Sequence, residues 1–156
     1  ISACLVGSEM CIRDRPDEGD IRRLVQVFYE RVRRDALLGP VFAGVLGDDE
    51  TWARHVSRLC DFWSSVMLTS GRYHGDPFSA HMGLSAVSPG MFDHWMAVFE
   101  ETCAERFASA LAAAFCAKAR RISSSLRMGL FGRLPPLRRA SPAVREPSEV
   151  GHEGTT

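Results

Sequence analysis

Between residues 17 and 128, large apolar side chains recur every three or four positions, and no strand-length run alternates them with polar ones. That period lays one apolar stripe along each of a series of helices and provides no element suited to a half-buried sheet. The chain is therefore expected to be an all-α domain.

The helices follow one another with visible punctuation. Asp20 can cap a first helix whose inward face runs Ile21, Leu24, Val25, Phe28 and Val32. Gly39, Pro40, Gly44 and Gly47 break the next stretch into a short helix and a turn. Asp48 or Asp49 caps a long segment carrying Trp52, Val56, Leu59, Phe62, Trp63, Val66 and Met67. Gly71, Gly75 and Pro77 interrupt again and leave a short helical piece around 78–84. Ser88-Pro89 pairs a cap with a proline at the first helical position. It opens a helix facing Met91, Phe92, Trp95, Val98, Phe99 and Thr102 inward. A last helix carries Phe107, Leu111, Ala114, Phe115, Ile122 and Leu126, and its start near 104–106 has neither Gly nor Pro to mark it. The expectation is four long helices and two short ones.

Composition then trims the chain. Of its 14 aromatic residues, 13 lie between Phe28 and Phe115, so the core must lie there too. Residues 1–16 stand apart, holding two of the five cysteines and two of the four isoleucines. Within them, Glu9-Met10-Cys11-Ile12-Arg13-Asp14 resembles a translated sequencing adapter. This head is expected to be non-native or disordered, and without a basic start it does not read as a signal peptide. From Gly129 onward Pro, Gly and charges dominate, so 129–156 is expected to be a disordered tail with Arg133, Arg138 and Arg139 solvated.

The remaining unit, 17–128, carries 13 basic and 14 acidic residues. That near-neutrality argues against nucleic acid or an anionic membrane surface as partner. No apolar run approaches the ~20 residues of a membrane span. An odd cysteine count without C-x-x-C fits neither a disulfide framework nor a zinc ribbon, and suggests a reducing, cytoplasmic setting; the protein is expected to be a monomer.

Motifs for nucleophilic catalysis, phosphate binding or zinc proteolysis (G-x-S-x-G, G-x-x-x-x-G-K, H-E-x-x-H) are absent. Taken singly, His55, His74, His81 and His94 read as surface or core residues rather than ligands. One constellation changes the weighting. Tyr29 follows Phe28 on the first helix, Phe42 sits in the turn region, and His55 comes three residues after Trp52. His81 closes the short helix and Trp95 lies inside the next. A histidine on a short segment, facing a cavity lined by Tyr, His, Trp and Phe, suits a haem iron. One imidazole ligates, and the opposite wall offers polar donors amid apolar surface.

The segments carrying these residues are Phe28-Tyr-Glu-Arg-Val-Arg-Arg-Asp35, Leu38-Gly-Pro-Val-Phe42, Trp52-Ala-Arg-His55, Phe62-Trp63, Tyr73-His-Gly-Asp-Pro-Phe-Ser-Ala-His81 and Phe92-Asp-His-Trp95. In order and spacing they resemble the group III truncated haemoglobins, over nearly all of 17–128. The resemblance implies a two-over-two helical sandwich around haem b, with His81 as proximal ligand to the iron. It implies that Tyr29, His55 and Trp95 line the distal side and that Phe42 packs on the haem.

Leu59 and Phe62 are expected near the haem from their place on the helix of His55, and Tyr73 and Phe78 are expected to support the proximal side. Arg58 is either a propionate partner or solvated, and His55 either donates to the ligand or swings as a gate. The function implied is reversible binding of O2 and other diatomic ligands at a pentacoordinate haem. The alternative is a haem enzyme that reduces peroxide or converts NO and O2 to nitrate, with electrons from an external reductase. A non-haem reading has the four histidines binding zinc or nothing.

Overall fold

The computed structural model describes residues 15–132, and every regular element among them is a helix. These are α1 Glu18–Arg34, α2 Gly39–Leu46, α3 Asp49–Leu68, α4 Pro77–Met82, α5 Pro89–Arg106 and α6 Ser109–Phe131. The expected order holds, with four long helices and two short ones. Residues 1–14 and 133–156, most of the expected head and tail, lie outside the described residues.

Several boundaries differ from expectation: α4 ends at Met82 rather than 84, and α6 starts at Ser109, which leaves Phe107 outside it as the C-cap of α5. The cap of α1 is Asp17, whose carboxylate accepts the Asp20 N–H at 2.8 Å while the Asp20 carboxylate accepts the Asp17 N–H at 3.0 Å. This reciprocal capping box satisfies two backbone donors and sets negative charge at the positive end of the helix dipole. At the other end, α6 continues to Phe131, past the expected edge at 128. The Phe131 ring packs edge-on against Phe92 with centroids 6.1 Å apart. Gly129, read from sequence as the start of the tail, is a notch: a Cβ there would come within 2.5 Å of the Phe78 ring.

The helices form two crossed pairs. α1 packs on α3, α5 packs on α6, and α1 also packs on α5, giving the two-over-two arrangement. α2 is fastened to α1 and α3, and α4 to α6. The sharp corner between α1 and α2 needs Gly39, where a Cβ would sit 2.8 Å from the Arg33 carbonyl oxygen. α3 begins at Asp48, which accepts the Thr51 N–H at 2.7 Å, and ends at Thr69 in the left-handed region with φ 55°.

The core lies where the two pairs meet. α1 buries Ile21, Leu24, Val25, Phe28 and Val32 against Trp63, Phe99, Cys103, Leu111, Phe115 and Ala119. Burying each large side chain contributes about 1.5–3 kcal/mol, so this packing, more than intrinsic propensity, holds the helices. A row of rings runs through it. Phe99 stacks on Trp95 (5.1 Å, 11°) and on Trp63 (5.1 Å, 15°), and Phe28 meets Trp95 and Phe99 edge-on, each at 5.0 Å. Cys60, Cys103 and Cys116 are free thiols, the last two meeting between α5 and α6. No helix among the described residues is long and apolar enough to cross a membrane.

Candidate functional site

His81 sits on the shortest helix, so its position depends on how α4 is anchored. Asp76 caps α4 by accepting the Phe78 N–H at 2.9 Å and the Ser79 hydroxyl at 2.5 Å. The connection before it is stitched to α3 and α1. Ser65 Oγ accepts the Tyr73 N–H and donates to the Asp61 carbonyl, both at 2.9 Å. The fully buried Ser64 hydroxyl is hydrogen-bonded to Glu18 and Ser70, each at 2.7 Å, and Arg72 pairs with the same Glu18 oxygen at 2.7 Å. Tyr73 stands edge-on to Phe62 at 5.1 Å, and Phe78 fills the Gly129 notch on α6.

At His81 itself, Nδ1 lies 2.6 Å from the Pro77 carbonyl oxygen. A carbonyl only accepts, so Nδ1 carries the proton and Nε2 presents its lone pair away from the helix. That is the tautomer a metal-ligating histidine needs, with its orienting partner in place.

Helices α1, α2, α3 and α5 bring four of the sequence-predicted residues together. Tyr29 meets His55 edge-on at 5.7 Å and Phe42 at 6.0 Å, and Phe42 meets His55 at 5.9 Å. Trp95 joins through Phe28, which is edge-on to both Tyr29 and Trp95. Tyr29 is only 5% exposed, and burial pushes its phenol well above the ordinary value, with Trp95 opposing as a hydrogen-bonding neighbour. The phenol is therefore a proton donor at any ordinary pH.

His55 is half-buried, and its Nε2 is buried without a hydrogen-bond partner. Burial lowers its pKa to about 4, and the neighbouring His81 and then Arg58 add to the shift. The imidazole is thus neutral at pH 7. Such an orphaned buried polar atom costs about 1–3 kcal/mol unless something completes it. Arg58 is exposed beside it and makes no ion pair among the described residues. Leu59 is partly buried against the core on the same helix.

Two parts of the site escaped the sequence reading. Trp52 belongs to the cluster, at 5.9 Å from Phe42 and 6.4 Å from His55, with the Arg33 guanidinium 5.1 Å over its ring. Its three-residue lead on His55 was the available signal, since that spacing shares a helix face. His94 pairs with Asp35 at 2.8 Å, a contact 59 residues apart in sequence that no local pattern reveals. Among the described residues no three His, Cys, Asp or Glu side chains gather to hold an ion, so the four histidines do not form a zinc site.

Comparison with known proteins gives a consistent result. No protein-family model matches the chain. It is 36% identical over 87 residues to the group 3 truncated hemoglobin ctb of Campylobacter jejuni, covering 55% of this chain and 68% of that protein. Its fold resembles the crystal structure of group III truncated hemoglobin from Campylobacter jejuni with a TM-score of 0.72 at 30% identity, covering 75% of this chain and 93% of that one.

Proposed function

The chain belongs to the group 3 truncated haemoglobins, and from that premise we propose that it binds O2 and other diatomic ligands reversibly at a pentacoordinate haem b held by His81. Globin-type haem binding comes with the family. The identity of the haem, the ligand and the residue roles are our reading, supported as follows.

The observation that carries it is two imidazoles: His81 is oriented by Pro77 through Nδ1, which leaves Nε2 to ligate, and His55 Nε2 is buried in the ring cluster without a hydrogen-bond partner. Haem b, when bound, would supply an iron whose open position takes a diatomic ligand. The chain's own side chains do the rest. His81 would ligate the iron from the proximal side, with Tyr73 and Phe78 bracing its helix. Tyr29 O–H and Trp95 N–H are donors set among apolar rings, where a hydrogen bond to a polarised ligand would be strengthened by the exclusion of water.

Phe42, Leu59 and Phe62 would pack on the haem plane. Arg58, exposed and unpaired, suits a propionate carboxylate. His55, neutral at pH 7, either donates to the ligand or gates its access. The free thiols support a reducing, cytoplasmic setting, and we take the protein to act there as a monomer.

The test is an absorption spectrum of the purified chain after haem addition. A Soret band at one haem per chain, shifting reversibly with O2, is the expected result. Absence of the band after reconstitution overturns the reading.

A second reading is favoured by one observation: two donors, Tyr29 and Trp95, share the pocket. Donors that slow ligand release suit chemistry better than delivery. Peroxide reduction, or NO and O2 conversion to nitrate, would then draw electrons from an external reductase. Stopped-flow turnover with NO or peroxide and a reductant separates the readings: sustained turnover supports the enzyme, and its absence leaves the binding protein.

A further inference from the structure

One carboxylate joins the elements that carry Tyr29, Phe42 and Trp95. Asp35 ends α1, the helix of Tyr29, and its Oδ1 accepts the N–H groups of Leu37 and Leu38, each at 2.9 Å. Those bonds shape the turn that delivers α2 and Phe42. Its other oxygen, Oδ2, meets His94 Nε2 at 2.8 Å. His94 lies on α5 immediately before Trp95. Partial burial works to raise the Asp35 pKa, but hydrogen bonds from Leu38 N–H, His94 and Leu37 N–H outweigh it and hold the carboxyl below its ordinary value.

The pair is 38% and 19% exposed at His94 and Asp35, so solvent screens it and it contributes little to stability. What it offers is geometry. A second link between α1 and α5, the Arg31–Glu105 ion pair, lies near the far end of α5, ten residues beyond Trp95. Asp35–His94 is the link beside the pocket.

We propose that Asp35 and His94 are positioning residues that set the Trp95 indole against Tyr29, and thereby the strength with which the pocket retains its ligand. The proposal rests on the haem-binding reading for its effect on ligand release, but not for its effect on Trp95. Without the clamp, the first turn of α5 is free to shift locally against the α1–α2 corner. Trp95 then loses its fixed approach to the phenol while the stacked rings behind it keep the helix in place.

The test compares His94→Ala, Asp35→Asn, His94→Gln and Glu105→Gln in the full chain. The first readout is the Trp95 indole N–H resonance in a diamagnetic form of the protein, assigned by its loss in Trp95→Phe. The second is the O2 dissociation rate of the haem-loaded chain. His94→Ala and Asp35→Asn are expected to shift the Trp95 resonance, speed its hydrogen exchange and raise the O2 off-rate about tenfold, the effect of losing one hydrogen bond to a polarised ligand. His94→Gln, which keeps an N–H donor for Asp35, should recover most of both. Glu105→Gln should move neither.

An unmoved Trp95 resonance in folded Asp35→Asn overturns the proposal. So does an equal shift in Glu105→Gln, which would mark any α1–α5 link as sufficient. If His94→Ala does not fold, Asp35→Asn and His94→Gln still decide. If the wild-type chain takes up no haem, the functional reading fails, and the Trp95 resonance still judges the clamp.

Discussion

His81 and Pro77 are one helical turn apart on α4, and the His81 imidazole donates from Nδ1 to the Pro77 carbonyl oxygen at 2.6 Å. Proline at the start of the helix donates no N–H, and its carbonyl, which would ordinarily accept the backbone N–H one turn on, is shared with the ring. The short helix therefore orients its own histidine without help from another element. Substitution of His81 by Ala is expected to abolish stable haem retention, seen as loss of the Soret band on a desalting column. Added imidazole should restore part of it. Retention at the wild-type level would show that another residue ligates.

Tyr29→Phe removes one O–H donor and leaves the ring packing against Phe28, Phe42 and His55 intact. A hydrogen bond to a charged or strongly polarised acceptor is worth about 1.5 kcal/mol or more, so O2 release should accelerate about tenfold or beyond. Rapid mixing with a scavenger reads the rate, and an unchanged value would take the phenol out of the pocket's donor set.

In the haem-free chain, His55 gives stability a pH dependence of known sign. Its folded pKa of about 4 lies below the ordinary 6.5, so the unfolded chain takes up the proton first. The contribution is fully present above pH 6.5 and is lost as pH falls towards about 4, by at most about 3 kcal/mol. His55→Gln should flatten the fall in Tm across that window. The same slope in the variant would assign it to other groups.

Gly129→Ala sets two effects against each other. Alanine favours a helix over glycine by about 1 kcal/mol. The added Cβ, however, meets the Phe78 ring at 2.5 Å, and that ring belongs to the helix of His81. The clash should win, lowering the melting temperature and weakening haem retention together. A stabilised variant with normal haem uptake would mean α4 yields freely.

Much of this architecture is legible in the sequence because one stripe period repeats through it. Helix order and inward faces follow from spacing alone, as the buried run Ile21, Leu24, Val25, Phe28 and Val32 illustrates. The caps are less determinate. Asp17 and Asp20 are both carboxylates three residues apart, and only backbone geometry assigns which one accepts first. Gly129 is ambiguous for a different reason, since a missing side chain serves a break and a close approach equally well. The ring cluster was traceable through the ordered segments that carry Tyr29, Phe42, His55 and Trp95. The polar fastenings were not. Ser64 to Glu18 spans 46 residues and His94 to Asp35 spans 59, and no periodicity encodes a contact at such range.

Phe28 touches Tyr29, Trp95 and Phe99 at once, with centroids 4.9, 5.0 and 5.0 Å away. It is wholly buried, so the same ring both backs the two donors and belongs to the protein's interior. A change of volume there cannot be confined to one of those duties. On the proposed reading, substitutions that tune ligand retention are better placed at less enclosed residues such as His55, Trp52, Asp35 or His94. The ring behind the two donors is left with almost no freedom to vary.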